Sequence, residues 1–259
     1  MSTLHFTAEN GVATIVLNRP EAFNSLNKEL AHALQDALDK CAADENIRAV
    51  VLTGEGKAFC AGQDLVEVTT PEQMPGFKTL LEEHYKPIIT KIRQLEKPVI
   101  AAVNGVAAGA GANIALACDI VVASEKASFI QAFSGIGLVP DSGGTFFLPR
   151  LVGFQKAVAI SMLGDKIKAT EAEQMGMIYK VFSVDEYSEN VEKLAKRLAQ
   201  MPTKGLALTK KVFSSSLTNS LEQQIAVENA AQIEASETAD YTEGVQAFLE
   251  KRKPNFVGR

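Results

Sequence analysis

The first half of the chain alternates short apolar runs with stretches whose apolar residues recur at helical spacing. The runs, which read as buried strands, cover residues 11–18, 47–53, 98–103, 120–123 and 128–130. In residues 27–42, by contrast, leucines recur every four positions, the period of an amphipathic helix. Helices are also predicted over residues 76–95, beginning or kinking near Pro87, and over residues 110–118. The alternation predicts an α/β fold whose mostly parallel strands are buried on both faces.

The strand pattern fades after about residue 150, and helical patterns replace it. Thr170 and Glu173 have the spacing of a capping box, which predicts a short helix there. Four further helices are predicted over residues 186–200, 203–216, 219–237 and 239–252. Because such short amphipathic helices need a partner surface, we expect them to pack on the first part or on another subunit. We therefore divide the chain into a core, 1–195, and a helical region, 196–259.

Composition narrows the function classes. The 259 residues are 46% hydrophobic and 22% charged, which is ordinary for a globular protein. A net charge of −5 disfavours a nucleic-acid binder. The three cysteines are widely spaced, so we expect neither a metal site nor a disulfide framework, and a reducing cytoplasmic location is the simplest fit. No apolar run approaches the roughly 18 residues of a membrane helix, and the N-terminus lacks a signal-peptide pattern.

Candidate chemistry centres on Asp141, which stands between the apolar residues 135–140 and the sequence Ser-Gly-Gly-Thr. Desolvation by such neighbours raises the pKa of a carboxyl group, which makes Asp141 a candidate general acid or base. The alternative is that Asp141 caps the helix that follows, because Asp before small polar residues is also typical of an N-cap. The local sequence leaves both roles open.

Two glycine-rich turns, residues 57–65 and 104–113, each follow a predicted strand. In open α/β sheets ligands bind at the carboxyl ends of strands. Small residues let a ligand approach the backbone, and two amide N–H groups from separate loops can form an oxyanion hole. The alternative is that glycine and alanine merely permit close packing. Neither turn has the spacing of a phosphate-binding loop.

Together, these turns, the Asp141 segment and the sequences at 11–20 and 243–252 resemble the enoyl-CoA hydratase/isomerase (crotonase) family over essentially the whole chain. The resemblance implies a crotonase-like spiral of ββα units with a C-terminal helical trimerisation region. It also implies an acyl-CoA substrate, in which coenzyme A is part of the substrate and no separate cofactor is needed. Self-association to a trimer or hexamer is expected, with no nucleic-acid or membrane partner.

The resemblance also assigns residues. The oxyanion hole would consist of the backbone amides of Gln63 and Ala110. By the same comparison, the residues that bind CoA would be Ala22, Phe23, Ala61, Gln63, Asp64, Leu65, Phe248 and Lys251. Phe248 and Lys251 match positions that reach the CoA of a neighbouring subunit. The lysine usual in the family before Ala22 is Glu21 here.

Hydratases of the family place two glutamates around a water molecule. At those positions this chain has Asn113 and Phe133, neither of which can move a proton. Asp141 instead matches the aspartate of several isomerase branches, and Phe133, Leu138 and Asn113 would line the acyl pocket. Three stretches are most similar to the branch that isomerises ring-1,2-epoxyphenylacetyl-CoA to the oxepin form in phenylacetate catabolism, members of which also shift enoyl double bonds. We therefore expect a CoA-thioester isomerase.

Three alternatives stay open. The first is an enoyl-CoA hydratase of fatty-acid or aromatic degradation. A dehalogenase-like hydrolase is the second, although the chain contains no tryptophan. The third is a non-catalytic or RNA-binding protein with the same fold, which the acidic charge disfavours. Elsewhere, we expect Glu67 to be a solvated charge and His84 to serve packing more than substrate contact.

Overall fold

A computed structural model gives the fold and describes residues 2–70 and 76–259. The strands are β1 (Leu4–Glu9), β2 (Val12–Leu17), β3 (Ala49–Gly54), β4 (Ala58–Cys60), β5 (Val99–Val103), β6 (Val106–Ala108), β7 (Ile120–Ser124), β8 (Ser128–Ile130), β9 (Lys166–Lys168) and β10 (Lys180–Phe182). The helices are α1 (Lys28–Ala43), α2 (Leu65–Thr69), α3 (Phe77–Thr79), α4 (Lys86–Gln94), α5 (Ala110–Ala117), α6 (Gly144–Val152), α7 (Phe154–Leu163), α8 (Ala169–Gln174), α9 (Val184–Ala199), α10 (Thr203–Ser216), α11 (Leu221–Ser236) and α12 (Ala239–Leu249).

The strands form two sheets, of order β1-β2-β3-β5-β7-β10 and β4-β6-β8-β9. Among the strands that the structure describes, only β1 and β9 run antiparallel to their neighbours. Successive strand pairs β3–β4, β5–β6 and β7–β8 each contribute one strand to either sheet, and a helix follows the second strand of the first two pairs. This is the predicted spiral of ββα units, and the predicted fold class is confirmed.

The packing of strand β5 explains why its sequence is continuously apolar. Val99, Ala101 and Val103 face one core, which α1, α4 and α5 cover. Ile100 and Ala102 face a second core on the other side of the sheet, formed with residues of α9. Because side chains alternate across a strand, burial on both faces requires apolar residues at every position. The predicted boundary after residue 195 lies inside α9, and the division of the chain into two regions stays a prediction.

Several elements differ from those that the sequence predicts. The glycine-rich turns contain the three-residue strands β4 and β6, too short for a period of two to be visible. Strands β1, β9 and β10 and helices α2 and α7 were not predicted at all, and α6 was considered only as the helix that Asp141 would cap. Helix α8 begins at Ala169 without a side-chain cap, because the Ala169 amide donates to the carbonyl of Ala127. The capping box predicted at Thr170 is therefore wrong, although the helix is present.

The predicted helix over residues 76–95 is continuous but irregular. Residues Leu80–Tyr85 form a π-helical segment between α3 and α4. Pro87 lies in the first turn of α4, where its missing N–H costs little. π-Helical segments are rare and occur preferentially at functional sites. Within the residues described, no helix is long and apolar enough to cross a membrane.

Candidate active site

The two glycine-rich turns meet at Gly62, beside the start of α5. A β-carbon on Gly62 would lie 2.9 Å from the carbonyl oxygen of Ala108 and 3.4 Å from the amide nitrogen of Ala110. Gly62 also has φ +91°, a conformation that favours glycine. The close approach of the two backbones therefore requires a residue without a side chain, and it brings Gln63 next to Ala110.

The amides of Gln63 and Ala110 are free to bind a ligand. Ala110 is the first residue of α5, so its N–H has no partner within the helix. Gln63 forms an isolated bridge with Leu26 in which Gly62 and Asp64 make the hydrogen bonds. Within residues 2–70 and 76–259, neither amide donates a hydrogen bond. The two N–H groups that the family resemblance assigns to an oxyanion hole thus belong to adjoining turns and make no hydrogen bond among the residues described.

The carboxylate of Asp141 does not cap the helix that follows. Helix α6 begins after Gly143, which has φ +76° and provides no side-chain cap. Oδ1 of Asp141 is buried and has no hydrogen-bond partner among the residues described. Burial raises the pKa of Asp141 above the ordinary value of an aspartate, with the Ser142 hydroxyl acting the other way. A carboxylate with one buried, unpartnered oxygen and a raised pKa is the arrangement expected of a general base.

Asn113 holds the backbone of the Asp141 segment in place. It is fully buried, and its Nδ2 donates to the carbonyl oxygen of Asp141 at 2.9 Å. Its Oδ1 accepts from Nε2 of Gln131 at 2.8 Å. A β-carbon on Gly144 would lie only 2.3 Å from Asn113 Nδ2, so glycine permits this contact. Asn113 therefore positions Asp141 through its backbone, and Gln131 is a contributor that the sequence does not reveal.

The backbone beside the carboxylate is strained. Ser142 has φ +50°, an unusual value for a residue with a side chain. Such conformations cost about 1–3 kcal/mol and cluster at functional sites.

The other predicted pocket residues differ in exposure. The ring of Phe133 is buried, and its Cζ lies 3.8 Å from where Gly109 would carry a β-carbon. This places Phe133 next to the turn that ends in Ala110. Leu138 is 41% exposed, and its amide donates to the carbonyl of Phe133. Phe133 is thus a buried residue beside the Ala110 turn, whereas Leu138 lies at a more open place.

A second loop lies against the Gln63 turn. The amide of Ala61 donates to the carbonyl of Phe23 at 3.0 Å, and Leu26 exchanges backbone hydrogen bonds with Gly62 and Asp64. The ring of Phe23 is 51% exposed, and Leu65 is also exposed. The predicted CoA-binding residues of the two segments therefore form one surface. Ala22 and Phe23 lie on one side of this contact, and Ala61 to Leu65 lie on the other.

Two buried polar side chains fix this loop. Asn24, also at positive φ, accepts from the amide of Arg19 and donates to the carbonyl of Ala58. Asp64 accepts from Arg19 at 2.7 Å and from the amide of Val66 at the start of α2. The Asp64 carboxylate is thus occupied within the protein. Phe248 and Lys251, by contrast, lie exposed at the end of α12 and just after it.

Two further side chains bond to the side chain of Gln63. The sequence did not predict the first, Tyr85, and predicted the second, Glu67, to be a solvated charge. The hydroxyl of Tyr85, a nearly buried residue of the π-helical segment, donates to Oε1 of Gln63. Glu67 is not a freely solvated charge, because its two oxygens accept from Gln63 Nε2 and from the amide of Lys28. His84 is buried edge-on against His32, with the ring centres 5.4 Å apart, which supports packing.

Comparisons with known proteins show the family and support the overall fold. The enoyl-CoA hydratase/isomerase family matches residues 7–259. A 1,2-epoxyphenylacetyl-CoA isomerase of Escherichia coli K12 is 45% identical over 97% of both chains. A "probable enoyl-CoA hydratase" of Rhodobacter capsulatus is 44% identical, over 99% of this chain and 98% of that one. The crystal structure of an enoyl-CoA hydratase from Bacillus anthracis superimposes with a TM-score of 0.92 at 34% identity, over 99% of this chain and 100% of that one.

Proposed function

The chain belongs to the enoyl-CoA hydratase/isomerase family, and we propose that within it the protein is a CoA-thioester isomerase with Asp141 as its acid and base. The observation that carries the proposal is the buried, unpartnered carboxylate oxygen of Asp141, together with an asparagine and a phenylalanine at 113 and 133. One carboxylate that takes a proton from one carbon and returns it to another is sufficient for moving a double bond.

The chemistry follows from the groups present. The thioester oxygen binds between the amides of Gln63 and Ala110. Asp141 removes a proton from C2 of a 3-enoyl group, and the electron pair spreads into the thioester, whose oxygen gains negative charge. The protonated Asp141 then delivers the proton to C4, giving the conjugated 2-enoyl thioester. Preorganised N–H groups stabilise that developing charge, and no separate cofactor takes part in these steps.

Hydration of a double bond is less well supported. A hydratase needs an acid and a base on opposite sides of a water molecule. Asn113 is buried with both polar atoms of its side chain bonded, and Phe133 is apolar. The relatives include proteins named as hydratases at nearly the same identity as the isomerase, so hydration is the alternative that the assay must separate.

We propose that the surface of Phe23, Ala61 and Leu65 holds the CoA moiety, with exposed apolar side chains offering contact to its adenine ring. We further propose self-association through the C-terminal helices. Helix α11 has no buried residue within the single chain, while Leu221, Ile225 and Ile233 are exposed on it. A neighbouring copy would cover such residues and bring Phe248 and Lys251 to a second CoA.

The proposal is tested with purified protein and three substrates: a 3-enoyl-CoA, a 2-enoyl-CoA and ring-1,2-epoxyphenylacetyl-CoA. We expect the protein to convert either the 3-enoyl-CoA to the 2-enoyl-CoA or the epoxide to its oxepin form. The absorbance of the conjugated thioester measures the first conversion. Little hydration of the 2-enoyl-CoA is expected. Fast hydration without isomerisation of either other substrate would reject the isomerase and favour the hydratase.

The pH dependence of turnover should show an acidic limb set by Asp141. The base must be ionised to accept a proton, so kcat/KM falls as the pH drops through its pKa. Because burial raises that pKa, the midpoint should lie above the ordinary aspartate value. The measurement is kcat/KM against pH for the 3-enoyl-CoA. A flat profile down to the pH at which the protein unfolds would contradict Asp141 as the base.

A further inference from the structure

A chain of hydrogen bonds runs through the side chain of Gln63, whose backbone amide is one of the two proposed oxyanion-hole donors. Glu67 Oε1 accepts from the amide of Lys28 at 2.8 Å, and its Oε2 accepts from Gln63 Nε2 at 2.9 Å. Gln63 Oε1 in turn accepts from the hydroxyl of Tyr85. Three elements, α1, α2 and the π-helical segment, are thereby tied to one side chain in the turn between β4 and α2.

The direction of each bond is fixed by chemistry. A carboxylate can only accept, so the amide nitrogen of Gln63 must face Glu67. Oε1 of Gln63 therefore faces Tyr85, which has to be the donor. Burial raises the pKa of Tyr85, and the negative charges of Asp141 and Glu67 raise it further. The hydroxyl thus stays protonated and remains a donor throughout the working pH range.

We propose that Tyr85 is a positioning residue of the oxyanion hole, which acts through the Gln63 side chain to hold the Gln63 amide aimed at the thioester oxygen. The proposal deepens the proposed function and rests on its oxyanion hole. With Gln63 anchored at both polar ends, rotation of its backbone would break one of these bonds. Such anchoring is what preorganisation requires, because a donor that must reorient during the reaction contributes less to the transition state.

The π-helical segment explains how Tyr85 reaches this place. The segment ends at Tyr85, which is 4% exposed, while the neighbouring His84 packs against His32 of α1. Gln35 of α1 also donates to the carbonyls of Glu83 and His84. The segment is therefore fixed to α1, and the Tyr85 hydroxyl presents a rigid anchor to Gln63.

The test compares Tyr85→Phe with Tyr187→Phe. Tyr187 lies on α9, and its buried hydroxyl makes no hydrogen bond to Gln63 or Glu67, so Tyr187→Phe controls for the loss of a buried tyrosine hydroxyl. We expect Tyr85→Phe to lower kcat about tenfold, as the loss of one hydrogen bond suggests, with KM and the melting temperature nearly unchanged. Tyr187→Phe should match the wild type. Gln63→Leu removes this bond and also the bond to Glu67, so it should lose at least as much kcat as Tyr85→Phe. The double variant should be no worse than Gln63→Leu alone, because the Tyr85 hydroxyl then has no bond left to lose.

A spectroscopic readout separates this proposal from the function itself. The carbonyl stretch of a ¹³C-labelled saturated acyl-CoA, which cannot isomerise, should move to lower frequency on binding. We expect a smaller shift with Tyr85→Phe and a wild-type shift with Tyr187→Phe. A wild-type shift and kcat in Tyr85→Phe, with isomerisation intact, would overturn the proposal alone. A Tyr85-dependent shift in a protein that isomerises none of the three substrates would support the proposal and reject the isomerase.

Discussion

The Asp141→Asn variant should lose isomerisation by about 10³-fold while it binds acyl-CoA as the wild type does. An amide has nearly the shape of a carboxyl group but cannot take up the proton from carbon. Asn113 bonds the backbone carbonyl of Asp141 rather than its side chain, so the substitution leaves this anchor intact. Turnover of the 3-enoyl-CoA measures the loss, and titration with a saturated acyl-CoA measures binding.

The same variant should be at least as stable as the wild type at neutral pH. The pKa of Asp141 is raised in the folded protein, so the folded state binds this proton more readily than the unfolded chain does. The free energy of unfolding therefore falls as the pH rises from the pKa of Asp141 in the unfolded chain to its higher pKa in the folded protein. Above that range the buried negative charge destabilises the fold. Replacing Asp141 with neutral asparagine removes this cost, which thermal unfolding at pH 7 would show.

Asp185→Asn is the matched control, because Asp185 is exposed in the first turn of α9. It should retain full activity. If Asp141→Asn keeps turnover within about twofold of the wild type, Asp141 is not the acid or base. If it instead loses turnover together with binding and stability, the loss reflects a damaged fold and not proton transfer.

The sequence predicts those parts of the molecule that local periodicity determines. The spacing of the leucines in α1 reflects burial of one face of that helix, and the continuous apolar run of β5 reflects burial of both faces of that strand. Each pattern therefore predicts its own element, and the apolar runs together predict a parallel sheet. The placement of Asp141 beside apolar residues also predicted its desolvation correctly. In these cases the residues that decide the structure lie within a few positions of one another.

Bonds between distant residues account for what the sequence did not predict. Asn113 and Asp141 are 28 positions apart, and Tyr85 and Gln63 are 22 apart. Nothing in the pattern around Tyr85 distinguishes its hydroxyl from that of any other tyrosine on a buried helix face. Likewise, the helix-cap role of Asp141 could be set aside only when the structure placed Gly143 at the cap. The positioning residues of the site are therefore the part that the sequence conceals.

Ala110→Pro should reduce turnover by roughly 10²–10³-fold by deleting one oxyanion-hole donor, a loss of about 3 kcal/mol in transition-state stabilisation. Because the donor belongs to the backbone, no ordinary side-chain change removes it. Proline lacks the N–H, and Ala110 is the first residue of α5, a helical position at which proline is well tolerated. The fold should therefore persist while the donor is absent.

The control is Ala239→Pro, which places proline at the same position of α12. Ala239 is exposed, and its amide makes no hydrogen bond within the described part of the chain. Both variants should show similar circular dichroism, and only Ala110→Pro should have a lower kcat and a smaller lowering of the carbonyl frequency of a bound saturated acyl-CoA. Because the Gln63 amide remains, a partial shift should survive, since two donors share the oxygen. An Ala110→Pro protein with wild-type kcat and an unchanged carbonyl band would show that the thioester binds elsewhere, and the oxyanion hole at Gln63 and Ala110 would have to be abandoned.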